Sequence, residues 1–137
     1  MKQFIEKIIF KTERQEILNI TKTVEDTVHK SGIHNGLLNL SILHTSCSLM
    51  IQENADPTVM KDIKNFLEKI APEDNYLHDT EGPDDMPAHL KSLLTQSNIT
   101  VSVKNKKILL GTWQGIFLIE HRYQQKQREL FFHLLGE

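Results

Sequence analysis

Apolar side chains fall on every second residue in several separate stretches, a period of two that confines much of the chain to half-buried strands. From Gly36 to His44, Leu38, Leu40, Ile42 and His44 share one face while Asn39 and Ser41 take the other. Ile99, Val101 and Val103 likewise alternate with Thr100 and Ser102. Residues 4–11 put Phe4, Ile8 and Phe10 on one parity, and Glu16–Ile20 reads as a second short strand. After a tight connection near Thr45-Ser46, Cys47, Leu49, Ile51 and Glu53 share the next face. His44 and Glu53 thus stand at the ends of otherwise apolar faces. Asn105 and Lys106 are expected to form a hairpin turn into a strand over 107–110. The last strands are expected over 116–121 and 128–134, joined by a polar loop at 123–127.

The spacing turns helical in three places. Ile20, Val24 and Val28 form one stripe, with Asn19 or Thr21 as cap and Gly32 suited to the left-handed position that ends a helix. Asp56 followed by Pro57 is a strong helix start, and Val59, Ile63, Phe66, Leu67 and Ile70 mark the face that follows, up to Pro72. A third start lies at Pro87, near Asp85, with His89 in the first turn and Leu90, Leu93 and Leu94 as the expected buried stripe. Short strands with helices between them predict an α+β domain dominated by antiparallel sheets. At 137 residues, 39% apolar and 25% charged, the chain is expected to form one domain, 1–137, with its own core.

Charge and cysteine content narrow the function. A formal charge of −2 and the lack of a basic or aromatic stripe argue against a nucleic-acid or anionic-membrane partner. Lys104, Lys106 and Lys107 read as a solvated hairpin tip. No secretion signal or membrane-spanning run is visible, so the expected location is the cytoplasm. Cys47 alone makes neither a disulfide nor a thiolate zinc site and reads as a small buried thiol.

The stretch His78-Asp-Thr-Glu-Gly-Pro-Asp-Asp-Met-Pro-Ala-His89 concentrates acid, base and ligand side chains between two scaffolded elements. His44, His78 and His89 stand out as zinc ligands, since imidazole is neutral near pH 7 and three ligands leave an open position. Alternatively each is an ordinary hydrogen-bonded histidine. Glu53, Glu81, Asp84 and Asp85 are candidates to hold the second ring nitrogens. Trp113, between Gly111 and Gly115, is a core anchor or an aromatic wall, with Thr112 and Gln114 expected on the opposite strand face. Arg122 or Arg128 offers a bidentate grip on phosphate or carboxylate, although Arg128 lies in a charged run and is expected at the surface.

His44-Thr-Ser46, Glu53-Asn-Ala-Asp-Pro57, the Glu81–His89 loop and Leu110-Gly-Thr-Trp-Gln114 occur in an order that resembles the small, widespread YjbQ-like family of uncharacterised proteins. The resemblance spans essentially the whole chain. It implies two packed antiparallel sheets, β-sandwich-like, with flanking helices, assembled as a homotrimer. It also implies that His44, His78 and His89 form a cluster for a metal or anion near the subunit boundary. Glu53, Asn54 and Asp56 match the family's acidic segment, and Thr112, Trp113 and Gln114 its signature. One branch has Asp-Phe where this chain has Glu120-His121, and its loop before His89 differs in length. The activity implied is a weak, secondary thiamine-phosphate synthase, a transferase that joins a pyrimidine pyrophosphate to a thiazole phosphate.

The expected catalytic set is therefore His44, His78, His89, Glu53 and Asp85, and the expected ligand-binding set Asn54, Asp56, Glu81, Thr112, Gln114, Glu120 and Arg122. The expected cofactor is a divalent metal: zinc on the three histidines, or magnesium arriving with a pyrophosphate substrate. The favoured function is this or another metal-assisted reaction on a phosphorylated small molecule. The alternative is a non-catalytic homotrimer that binds a metabolite or a partner in a histidine-lined interface pocket.

Overall fold

A computed structural model describes residues Met1–Glu137. Strands β1 (Lys2–Thr12) and β2 (Glu16–Asn19) precede helix α1 (Thr21–Ser31), and β3 (Gly36–Ile42) and β4 (Cys47–Glu53) precede α2 (Pro57–Ile70) and α3 (Asp85–Leu94). The chain ends with β5 (Asn98–Lys104), β6 (Lys107–Ile108), β7 (Gln114–Glu120) and β8 (Lys126–Gly136). One sheet has five strands in the order β1-β8-β3-β5-β6, the other three in the order β2-β7-β4, and every pairing is antiparallel. The fold is α+β, two antiparallel sheets with helices, as expected. No helix is long and apolar enough to cross a membrane.

One hydrophobic cluster joins the sheets. Leu38, Leu40, Val101, Leu130, Phe132 and Leu134 enter it from the larger sheet, Leu49, Ile116 and Leu118 from the smaller, and Val24 and Val28 from α1. Strict alternation along β3, β5 and β8 produces this, because each strand turns one parity inward. Strand β7 differs: Gly115 to Glu120 are all buried, which matches a central strand covered on both faces. Gly36 faces Gly136 across the β3–β8 pair. A Cβ on Gly36 would stand 2.0 Å from the Leu135 carbonyl oxygen, so the two glycines let the strand ends close.

Local chemistry sets the helix ends. Ile20, not Asn19 or Thr21 as expected, is the N-cap of α1 and makes no side-chain cap; one residue earlier, Asn19 Oδ1 accepts from the Thr21 backbone N–H at 3.1 Å. Asp56 Oδ1 accepts from Thr58 N–H at 2.9 Å with Pro57 in the first turn, opening α2. Gly32 closes α1 at φ 71°, with open space where a side chain would go. Gly32→Ala is therefore expected to cost about 1 kcal/mol in urea unfolding through the left-handed conformation alone, and Gly32→Asn less. A loss near zero would mean that the helix end rearranges freely.

The structure corrects several expectations. On α2 only Leu67 is buried, while Phe66 and Ile70 lie exposed. Helix α3 starts at Asp85 rather than Pro87 and turns the other way: Asp85, Pro87, Ala88 and Lys91 are buried, while Leu93 is 78% exposed and Leu94 58%. Ion pairs, described below, fix that face. The strand expected over 107–110 stops at Ile108. The turn before it is as predicted, with Asn105 and Lys106 at φ 52° and 62°. Gly111 to Trp113 form an exposed turn, not a strand, and Trp113 is 64% exposed rather than a core anchor.

Candidate metal centre

Helix α3 places Asp85 and His89 four residues apart, on one face of the same rigid element. The loop before it swings His78 onto the same carboxylate. His78 Nε2 lies 2.6 Å from Asp85 Oδ2, and His89 Nε2 lies 3.3 Å from that same oxygen. The two imidazole rings are 5.4 Å apart, tilted by 50°. Two ring nitrogens and a carboxylate oxygen, all within 4.8 Å of one another, thus converge on one point.

Each group is held from behind. His89 Nδ1 lies 2.9 Å from the Thr45 carbonyl oxygen, which can only accept, so Nδ1 carries the hydrogen and Nε2 is the nitrogen that faces Asp85. Asp85 Oδ1 accepts from Arg122 Nη1 at 2.6 Å. Arg122 also donates through Nε to Asp84 Oδ2 at 2.9 Å and through Nη2 to the Glu81 carbonyl at 2.7 Å. Asp84 accepts a further bond from Tyr123 N–H at 2.9 Å, and so caps no helix, although it precedes α3. Burial works against the Asp85 carboxylate, yet the hydrogen bond from His78 and the charges of His89 and Arg122 outweigh it and hold its pKa below the ordinary value. Asp84 is held low against burial in the same way, by Tyr123 and Arg122.

The donor set fits a divalent cation. A cation placed between His89 Nε2 and Asp85 Oδ2 would be shared by a nitrogen and a carboxylate oxygen, both ordinary zinc donors. Donors on a tetrahedral zinc stand about 3.3 Å apart, which the His89–Asp85 separation of 3.3 Å matches. The His78–Asp85 separation of 2.6 Å is a hydrogen bond instead, so His78 has to move outward by a fraction of an ångström. Its side chain is 45% exposed and sits on a loop, which leaves it free to do so.

Not all the expected residues converge. His44 stands beside Thr45 but points elsewhere: its Nε2 accepts from Glu129 N–H at 2.7 Å, and burial followed by the nearby Arg128 lowers its pKa. Glu53 Oε2 accepts from Asp56 N–H at 3.0 Å, and Asp56 caps α2. Asn54 Nδ2 donates to the Gln114 carbonyl at 3.1 Å, and Gln114 Oε1 accepts from Gly111 N–H at 2.7 Å. Thr112 is exposed in the same turn. Glu53 pairs with Gln114 and Cys47 with Glu120, so this group and the histidines occupy opposite ends of the β4–β7 pair, about 20 Å apart.

Glu81 contributes its backbone carbonyl to Arg122. Arg122, with both acids on its guanidinium, is 7% exposed and offers no free fork to a phosphate. Glu120 is fully buried, gripped by Arg128 and by Thr12 Oγ1 at 2.6 Å. Arg128 is itself 4% exposed, not a surface residue. Its Nη2 donates to Ser46 Oγ at 3.0 Å and to the Ser46 carbonyl at 3.2 Å, steadying the turn that carries Thr45. Sequence reading missed these roles of Arg122 and Arg128.

The family model described as UPF0047 protein YjbQ-like matches residues 6–137. A UPF0047 protein of Synechocystis sp. is 43% identical over 138 residues, covering 99% of this chain and 94% of that protein. The UPF0047 protein YjbQ of Escherichia coli O157:H7 is 44% identical over 106 residues, 77% of each. A crystal structure of a YbjQ-like protein of unknown function from Sulfolobus solfataricus P2 superposes with a TM-score of 0.92 at 28% identity, over 99% of both chains. With likeness of sequence and fold along nearly its whole length, this chain belongs to the YjbQ-like UPF0047 family.

Proposed function

We propose that the protein is a metal-dependent enzyme in which His78, Asp85 and His89 hold a divalent cation and the substrate is an anionic, phosphorylated small molecule. The observation that carries this is the meeting of two imidazole Nε2 atoms on one oxygen of a buried carboxylate. Three protein donors leave a position open, the arrangement of catalytic rather than structural zinc. When bound, the cation supplies Lewis-acid polarisation and charge neutralisation at a phosphoryl oxygen.

The chain's own groups set the charge of the site. Asp84, Asp85 and Arg122 together carry −1, so a divalent ion brings these buried groups to +1, with the exposed Glu81 carboxylate near Arg122 counting −1 against it. Formation of thiamine phosphate with release of pyrophosphate is one reaction of this class. Its leaving group cannot rely on Arg122, whose fork is taken by Asp84 and Asp85.

The second reading, a non-catalytic binding homotrimer, draws on the outer face of the larger sheet. Ile5, Ile9, Leu37 and Leu135 lie there, each at least 40% exposed, and such an apolar face suits self-association.

Metal content of tag-free protein, measured by elemental mass spectrometry, tests the proposal. Wild type is expected to hold one zinc or similar ion per chain, or to take one up on incubation. His78→Ala, His89→Ala and Asp85→Asn are expected to lose it while still folded, and His44→Ala to keep it. A wild type that takes up no ion sinks the metal centre and moves the binding homotrimer ahead. Loss of the ion in His44→Ala would restore the three-histidine site.

A further inference from the structure

The geometry points to Arg122 as a positioning residue of this centre, the group that decides which oxygen of Asp85 is presented; the inference rests on the metal proposal above. Arg122 leaves β7 just beyond Glu120 and spends its guanidinium in three directions. Nε fixes Asp84 at 2.9 Å, Nη2 fixes the Glu81 carbonyl at 2.7 Å, and Nη1 fixes Asp85 Oδ1 at 2.6 Å. The first two bonds anchor the fork to the loop that carries His78, and the third turns the Asp85 carboxylate about its own axis. With Oδ1 held, Oδ2 has one place to go, and there it meets Nε2 of both histidines. Arg122 is 7% exposed and Asp85 2%, so little water competes for either. Lysine cannot reproduce this, because a point charge lacks the planar fork that holds two carboxylates and a carbonyl at once.

Charge and orientation act in opposite directions here, which makes the role separable. Arg122 is a cation close to a cation site, so its charge alone repels a bound metal. If charge were all it contributed, Arg122→Gln would bind zinc more tightly and Arg122→Lys would bind as wild type does. Positioning predicts the reverse sign. Both variants then bind more weakly, by about 10–100-fold for Arg122→Gln, as for other groups that orient a ligand.

The experiment is competition titration of zinc against a chromophoric chelator, with visible spectra of the cobalt-loaded proteins beside it. Weaker zinc binding in both variants is expected, together with a cobalt d–d spectrum altered from wild type. Asp84→Asn keeps an acceptor for Nε and is expected to leave that spectrum in place. Equal or tighter binding in Arg122→Gln overturns the positioning role and leaves the metal proposal intact. Should Arg122→Gln not fold, Arg122→Lys decides: affinity and spectrum equal to wild type overturn the role. A wild type without zinc affinity instead overturns the metal proposal, and this role with it.

Discussion

Arg128→Met is expected to lower the free energy of unfolding by about 3–5 kcal/mol, the usual result of stripping one partner from a buried ion pair. Glu120 is fully buried, and its two oxygens accept from Arg128 Nε at 2.7 Å and Nη2 at 2.5 Å. Thr12 Oγ1 at 2.6 Å and Arg122 N–H at 3.1 Å complete the shell. Without Arg128 those two neutral donors remain, too little for a carboxylate cut off from water. Replacing both ends, Glu120→Leu with Arg128→Met, removes the orphaned charge and is expected to recover much of the loss. Urea unfolding at fixed protein concentration, run as a double-mutant cycle, reads the coupling directly. A loss below about 1 kcal/mol in the single variant, the size of an exposed pair, would mean that water reaches Glu120. Arg128 also braces Ser46, and through that turn the Thr45 carbonyl that holds His89.

This pair also marks where the sequence was and was not legible. Period-two alternation located the major strands, and the cap at Asp56-Pro57 and the stop at Gly32 bounded two helices, because these signals are local. Arg128 shares parity with Leu130, Phe132 and Leu134, and Glu120 with Leu118 and Ile116. Extending each apolar stripe by one step would have put the two charges inside and facing each other. A charged run favoured the surface instead, since an isolated charge does not go inside and the partner is not adjacent in sequence.

Helix α3 failed for a related reason. Leu90, Leu93 and Leu94 outscore Asp85, Ala88 and Lys91 on hydrophobicity, yet Arg122 for Asp85 and Glu68 for Lys91 wait on other elements, and the ion pairs set the rotation. The site was half legible. The loop from His78 to His89 does carry the cluster, with Asp85 in it. His44 stands apart from that cluster because a backbone N–H on β8, invisible in the sequence, bonds its Nε2.

A further buried group turns that dependence on distant partners into a pH effect. His121 is 2% exposed, with Nε2 2.8 Å from Ser48 Oγ, and burial, then Lys91 and Arg128, pushes its pKa down from 6.5 to about 3. The folded protein therefore holds it neutral while the unfolded chain protonates it at the ordinary value. Below pH 6.5 the unfolded state binds the extra proton, so stability falls as pH falls, down to the folded value near 3. Between pH 7.5 and 5 the loss from His121 alone is about 2 kcal/mol.

His44, also lowered, adds to the loss with the same sign. Glu68, Asp84 and Asp85 have depressed values, so their contributions are complete above the unfolded carboxylate range and fade at lower pH, outside this window. Urea unfolding of metal-free protein across pH 5–7.5 should show the slope in wild type and most of it gone in His121→Gln, whatever the variant's absolute stability. A wild type equally stable at pH 7.5 and 5, or a variant with an unchanged slope, would show that His121 charges freely in the fold. The expected slope instead makes the far face of the β7 end a place where the fold tolerates only the neutral imidazole, one residue from the arginine that sets Asp85.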